Sequence, residues 1–221
     1  PTAYLLAEVL ELHARARFEI YAYSYGPEDH SPMRARLRAA CEHFIDIARD
    51  PDDLAAARIK DDELDILVDL KGYTLGARTA ILARRPCPTQ VSWLGYPGTM
   101  GAAFIDCLIA DPFIVPPGQE SAYSERVLRL PHCYQPNDRQ RTVASPLTRA
   151  DYGLPQDALV FCCFNQAYKI TPELFACWMR LLQGVPGSVL WLLADNPWAT
   201  ANLTHAAQAH GSAPARLVFA P

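Results

Sequence analysis

The stretch that most narrows the possible folds is residues 158–182. Residues 158–164 form an apolar run rich in strand formers and ending at Phe164. Residues 172–182 then place Leu174, Phe175, Trp178, Met179, Leu181 and Leu182 at helical spacing. Between them lies a polar cluster of Asn165, Gln166, Tyr168, Lys169 and Thr171. A buried strand that passes directly into a helix belongs to an α/β sheet, and ligands of open α/β sheets bind beyond the carboxyl ends of the strands. Thr171 suits an N-cap, Pro172 the first helical position and Glu173 the first turn. Lys169 falls just before the positive end of that helix, where free N–H groups favour an anion. A lysine there adds a point charge suited to phosphate. The stretch by itself leaves two readings open: a phosphate-binding lysine, or a solvated lysine on a plain turn.

The same alternation runs through the chain. Helical periodicity is expected over 2–15, a strand over 18–23, a short helix over 33–40, a strand over 41–47 and a helix over 51–62. Strands follow at 64–70, 89–94, 105–110 and 126–130, with one helix over 77–85. After a polar stretch at 132–147 the pattern restarts with strands at 158–164, 188–193 and 216–219 and helices at 172–182 and 197–210. Such alternation implies parallel sheets with helices on both faces. The expected fold is therefore α/β, with two Rossmann-like domains facing across a cleft. We expect a first domain over 1–135, a linker over 136–150 and the first part of a second domain over 151–221. The abrupt helical start and the strand at the end are expected of a piece of a longer chain.

Composition removes several functions. Half of the 221 residues are hydrophobic, a fifth are charged and the net charge is −4. No basic block is present, so nucleic acid is not an expected partner. The longest apolar runs are too short to span a bilayer, so no membrane partner is expected. The seven cysteines show no CxxC spacing. They read as free, mostly buried thiols of a reducing, cytoplasmic compartment, and no ligand cluster points to a metal. No dinucleotide fingerprint, P-loop or nucleophile elbow occurs. His43 reads as a histidine of the core, or one that supports a neighbouring group, rather than a base; Arg78 reads as a structural ion pair, and Asp69 and Asp106 as capping or loop-bracing acids. Trp93, Trp178, Trp191 and Trp198 read as core.

Three strand ends carry unusual loops: 71–76, 94–101 and 165–172. In the second, Gly95, Gly98 and Gly101 permit tight turns and close approach of a ligand to the backbone. A cleft between domains would bring the three loops together.

Several motifs recur in a fixed order. They are Gly72-Tyr73-Thr74 with Ala77-Arg78; Arg85-Pro86, Pro88, Gln90 and Trp93-Leu94-Gly95-Tyr96-Pro97-Gly98-Thr99 with Gly101; Tyr123-Ser124-Glu125; and Phe164-Asn165-Gln166 with Tyr168-Lys169-Ile170. Together they resemble the O-linked N-acetylglucosamine transferase family, including its SPINDLY-like and bacterial members. The resemblance implies a GT-B fold and an inverting, metal-independent transfer of N-acetylglucosamine from UDP-GlcNAc to Ser or Thr hydroxyls of proteins. It implies no cofactor beyond that donor substrate, and a protein or peptide as acceptor. Some plant relatives use fucose, so another sugar or acceptor stays open, as does a non-catalytic scaffold that only binds nucleotide sugar. By resemblance Gln166, Lys169 and Asn165 hold the UDP, with Lys169 stabilising the leaving diphosphate. Thr2, Leu94, Gly95 and Pro97 line the sugar pocket, and Tyr73 and Thr74 lie on the acceptor side. The histidine expected as base would precede Pro1, a further UDP-binding His-Thr-Thr stretch would follow Pro221, and tetratricopeptide repeats would lie upstream. Leu75 and Tyr4 depart from the lysine and histidine that some relatives carry there.

Overall fold

Short strands joined by helices or compact loops build the chain, as the alternating apolar runs require. The computed structural model describes residues 2–141 and 146–220. The chain divides into two units, Pro1–Thr142 and Val143–Pro221. The first holds α1 (Thr2–Glu11), β1 (Tyr21–Ser24), α2 (Pro32–Ala39), β2 (His43–Asp46), α3 (Asp52–Asp61), β3 (Ile66–Asp69), α4 (Thr79–Ala83), β4 (Thr89–Ser92), β5 (Cys107–Ala110) and β6 (Arg126–Arg129). The second holds β7 (Val160–Cys163), α5 (Pro172–Gly184), β8 (Val189–Leu193), α6 (Pro197–Ala209) and β9 (Leu217–Ala220).

Every described strand pairing is parallel. The sheets run β1-β2, β3-β4-β5-β6 and β7-β8-β9. Three helices start on the same local signal, a polar cap followed by proline. Ser31 accepts from the Arg34 N–H, Thr171 from the Leu174 N–H and Asn196 from the Ala199 N–H, with Pro32, Pro172 and Pro197 next in line. The proline needs no N–H partner at that position, and the cap satisfies one of the donors left free beyond it.

In the second unit the register places Phe161, Leu190 and Leu217 in one row and Cys163, Leu192 and Phe219 in the next. This face packs on Phe175, Met179 and Leu182 of α5 and on Leu203, Ala206 and Ala207 of α6. Helices were expected on both faces; both lie on one. The strand order advances in a single direction, and two right-handed crossovers taken in that direction fall on the same side. The other face carries Trp191, whose ring meets Phe164 at 4.8 Å and Tyr152 at 5.1 Å.

The first unit buries Ile47, Ala55, Ala56, Ile59 and Ile81 around α3 and α4, and Leu82, Met100, Ala102 and Ile105 around the loop after β4. After β6 the chain turns back over this unit. Trp93 Nε1 donates to the Tyr134 carbonyl at 2.9 Å, and the Asp111 carboxylate accepts from the Tyr134 N–H. Arg139 pairs with Glu8 of α1 at 2.8 Å. Arg36 of α2 reaches both Glu11 and Asp138. Residues 138 and 139, placed in the linker by sequence, are thus bound to the first two helices.

Three side-chain readings are corrected by these contacts. His43 is half exposed rather than core, stacked on Tyr21 and 2.7 Å from the Glu19 carboxylate. Only Cys87 of the seven cysteines is buried, and Cys133 and Cys162 are exposed. Trp198 sits outward in the first turn of α6 with 77% of its surface exposed. Each was judged from apolar neighbours in sequence, which do not report which face of an element a residue occupies.

Candidate functional site

Parallel strands deliver their carboxyl ends to one edge, so the loops after β3 and β4 are neighbours. Asp69 closes β3. Its carboxylate accepts from the Lys71 N–H at 3.0 Å and the Gly72 N–H at 2.9 Å. Gly72 has φ +54°, and a Cβ there would lie 2.3 Å from Cβ of Tyr96. The Thr74 hydroxyl donates to the Lys71 carbonyl at 2.9 Å, which completes the turn.

The loop after β4 is locked onto this turn, backbone against backbone. Trp93 N–H donates to the Asp69 carbonyl at 2.9 Å. Leu94 is buried and takes φ +74°, a left-handed conformation that a branched side chain seldom adopts. Gly95 follows, and any Cβ on it would fall 2.1 Å from the Leu70 carbonyl oxygen. Tyr73 bridges to the far half of the same loop, its hydroxyl donating to the Met100 carbonyl at 2.9 Å. Its ring meets that of Tyr96 at 5.7 Å, edge-on. Tyr73, Thr74, Leu94, Gly95 and Pro97 are therefore brought together, with Tyr73 and Pro97 exposed. Thr2 opens α1, and no hydrogen bond among the described residues joins it to these loops.

The second unit repeats the arrangement. Beyond β7, Asn165 and Gln166 lead into a single 3₁₀ turn, Ala167–Lys169, and then to the Thr171 cap of α5. Asn165, Gln166 and Lys169 are all exposed. The turn is pinned by the neighbouring strand's end, because Asp195 beyond β8 accepts from the Ala167 N–H at 3.1 Å. The next residue, Asn196, caps α6. The starts of two thirteen-residue helices therefore follow adjacent parallel strands, each with its positive end at the carboxyl edge of the sheet. Glu173, in the first turn of α5, has its carboxyl held below the usual range by its own backbone N–H and then by Thr171. Among the described residues no acidic side chain pairs with Lys169, whose ammonium lies 5.8 Å from the Tyr168 ring. Lys169 and the two helix starts are positive at this edge, and Asp195 and Glu173 are the acids beside them.

Sequence reasoning missed Asp195 and Glu125. Asp195 carried a signal, an acid directly after a strand and before a cap. Glu125 was legible only as part of a motif without a role; its carboxylate accepts from the Met100 N–H and the Thr99 hydroxyl. Arg78, by contrast, is bound as expected, pairing with Asp52 and donating to the Ile47 and Asp50 carbonyls. Asp106 braces a loop through Arg85 and the Gln90 N–H. Among the described residues no group of three or more His, Cys, Asp or Glu is arranged to hold a metal ion. No helix of the described residues is long and apolar enough to cross a membrane.

The family model described as Glycosyl transferase family 41 matches residues 1–145 and again 137–221. A probable UDP-N-acetylglucosamine–peptide N-acetylglucosaminyltransferase, SEC, of Arabidopsis thaliana is 39% identical over 225 residues, covering 99% of this chain and 23% of that protein. A UDP-N-acetylglucosamine–peptide N-acetylglucosaminyltransferase of Caenorhabditis elegans is 26% identical, covering 99% of this chain and 29% of its own length. A solved mutant of the Thermobaculum terrenum O-GlcNAc transferase superposes with a TM-score of 0.88 at 32% identity, over 100% of this chain and 42% of that one. The chain spans about a quarter of the two curated relatives. Its α/β fold is of the GT-B type expected from sequence.

Proposed function

This chain belongs to glycosyl transferase family 41, and on that premise we propose that it forms part of the catalytic region of a protein O-GlcNAc transferase. The reaction is the inverting transfer of N-acetylglucosamine from UDP-GlcNAc to a Ser or Thr hydroxyl of a protein or peptide. The acceptor oxygen attacks the anomeric carbon as the bond from that carbon to the β-phosphate oxygen breaks. The hydroxyl proton passes to a base, and UDP leaves with the bonding electrons. No cofactor is used beyond the donor itself.

The observation that carries this reading is the placement of Lys169. It is exposed, without an acidic partner among the described residues, and two residues ahead of the Thr171 cap of α5. Negative charge grows on the diphosphate as the glycosidic bond breaks, and a fixed ammonium beside a helix N-terminus stabilises that charge without reorganising. Asn165 and Gln166 offer side-chain amide donors to phosphate or uracil oxygens. Leu94, Gly95 and Pro97 form a rigid wall for the sugar, with Thr2 on the sugar side as well, and Tyr73 and Thr74 face the acceptor. All seven cysteines are free, which supports a reducing, cytoplasmic setting.

The test is transfer of labelled sugar from UDP-GlcNAc to a peptide by the full-length protein. Lys169→Ala is expected to lower kcat by about 10²- to 10³-fold, as loss of a charge-stabilising donor does, with an unchanged melting curve. Wild-type turnover in that variant would remove Lys169 from the mechanism. Tight UDP binding with no transfer to any peptide would replace the enzyme with a nucleotide-sugar-binding scaffold.

A further inference from the structure

The loop after β4 holds an unfavourable conformation, and something must hold the loop. Leu94 at φ +74° is a strained backbone position that persists only where the surroundings over-determine it. Its near half is fixed by Gly95 against Leu70. The far half is fixed at Met100, whose side chain is buried in the core with Leu82 and Ile105. Both peptide groups of Met100 are also engaged. Its carbonyl accepts from Tyr73, and its N–H donates to Glu125 at 2.6 Å.

Glu125 is a buried acid, with 5% of its surface exposed. Its second oxygen accepts from the Thr99 hydroxyl at 2.7 Å. Thr99 Oγ1 accepts in turn from the Gly101 N–H at 3.0 Å and the Ser124 N–H at 3.3 Å. With both acceptor sites of that hydroxyl occupied, its proton goes to the nearer oxygen, Glu125 at 2.7 Å, rather than to Ser124 Oγ at 3.2 Å. The two groups facing Glu125 are therefore both donors. A carboxylate, with an acceptor on each oxygen, suits both at once. A glutamine of the same shape satisfies one donor and turns its own N–H₂ on the other.

We propose that Glu125 is a positioning residue for the transfer, clamping Met100 so that the sugar-facing loop 94–101 and Tyr73 hold a single geometry. The proposal rests on the transferase reading above. It assigns Glu125 a role in holding the sugar-facing loop, and none in holding UDP.

The experiment compares Glu125→Gln and Glu125→Ala in the full-length protein. Three measurements are made: transfer kinetics, the affinities for UDP and for UDP-GlcNAc by calorimetry, and hydrogen exchange at the Met100 and Gly101 amides. Glu125→Ala is expected to lower kcat/KM for UDP-GlcNAc by about tenfold or more, the scale of a lost hydrogen bond to a charged group. UDP affinity should stay at the wild-type value, while the extra affinity contributed by the sugar shrinks and exchange at Met100 quickens. Glu125→Gln should lie between the two. Wild-type kinetics in Glu125→Ala overturns the proposal. So does a parallel loss of UDP affinity, which would mark a general loss of fold. A wild-type protein that transfers nothing removes the transferase reading instead. In that case the clamp is decided by exchange at Met100 and by the affinity difference between UDP and UDP-GlcNAc.

Discussion

At Gly95 a single hydrogen stands where a methyl group would strike a carbonyl. The Leu70 oxygen lies 2.1 Å from the position of a Cβ, and backbone on both sides leaves nothing flexible to yield. Gly95→Ala is therefore expected to shift the loop, with a stability loss of about 1–3 kcal/mol, the usual range for forced overpacking. Thermal unfolding of the two proteins measures it, and transfer should fall further than the melting curve alone accounts for. Gly101 is the contrast. It has φ +57° with open space around it, so it serves backbone conformation rather than close contact. The regular spacing of Gly95, Gly98 and Gly101 was legible in the sequence as a tight loop. Which glycine is wedged was not, because the obstructing atom belongs to a residue twenty-five positions earlier. Leu94 gave no sequence signal either, since leucine is not a residue that announces a left-handed turn.

At the scale of elements, the helix starts were legible and the closing strap was not. Caps act within three residues, so Thr171-Pro172 is read directly from its neighbours; Ser31-Pro32 and Asn196-Pro197 carry the same local signal, which the sequence reading leaves unassigned. The strap depends on Asp138 and Arg139 meeting Glu8, Glu11 and Arg36, and residues so far apart in sequence announce no pairing. The carboxyls of Glu8, Glu11 and Asp138 are all held below the usual range, Glu8 by hydrogen bonds from Arg139 and the other two by hydrogen bonds from Arg36. A carboxyl lowered in the folded state stabilises that state above its unfolded pKa, and the contribution disappears as pH falls through the folded value. Ordinary carboxyls titrate near pH 4. Asp138→Asn should therefore be less stable than wild type at neutral pH, with the difference closing below about pH 4. Urea unfolding across that range checks the sign; a gap that widens on acidification would contradict it.

For the molecule as a whole, each unit carries a core of its own. Phe175, Met179, Leu182, Leu190 and Leu192 anchor the second, and separate clusters anchor the first. Met179 is 1% exposed, so Met179→Ala is expected to cost about 2–5 kcal/mol. Hydrogen exchange should quicken in α5 and β8 more than in β3 to β6. Alternating apolar runs were enough to predict parallel α/β units, because strand and helix periods differ and each run is short. They did not predict that α5 and α6 share a face, which depends on strand order. The candidate residues differ in the same way. Lys169 and Asp195 sit at strand ends that local sequence reveals, whereas Glu125 acts through partners in another loop.

The strand order has a consequence for how the chain is made. In all three sheets each strand pairs with the next one in sequence. Among the described residues each strand finds its edge on a strand next to it in sequence. Such pairings still close crossovers of roughly twenty residues or more, as Ile66 with Thr89 and Val160 with Val189 do, so parallel sheets form slowly. A polypeptide emerging from the ribosome can nonetheless add β4 to β3, then β5, then β6, and later β8 and β9 to β7, laying down each sheet in the order of synthesis.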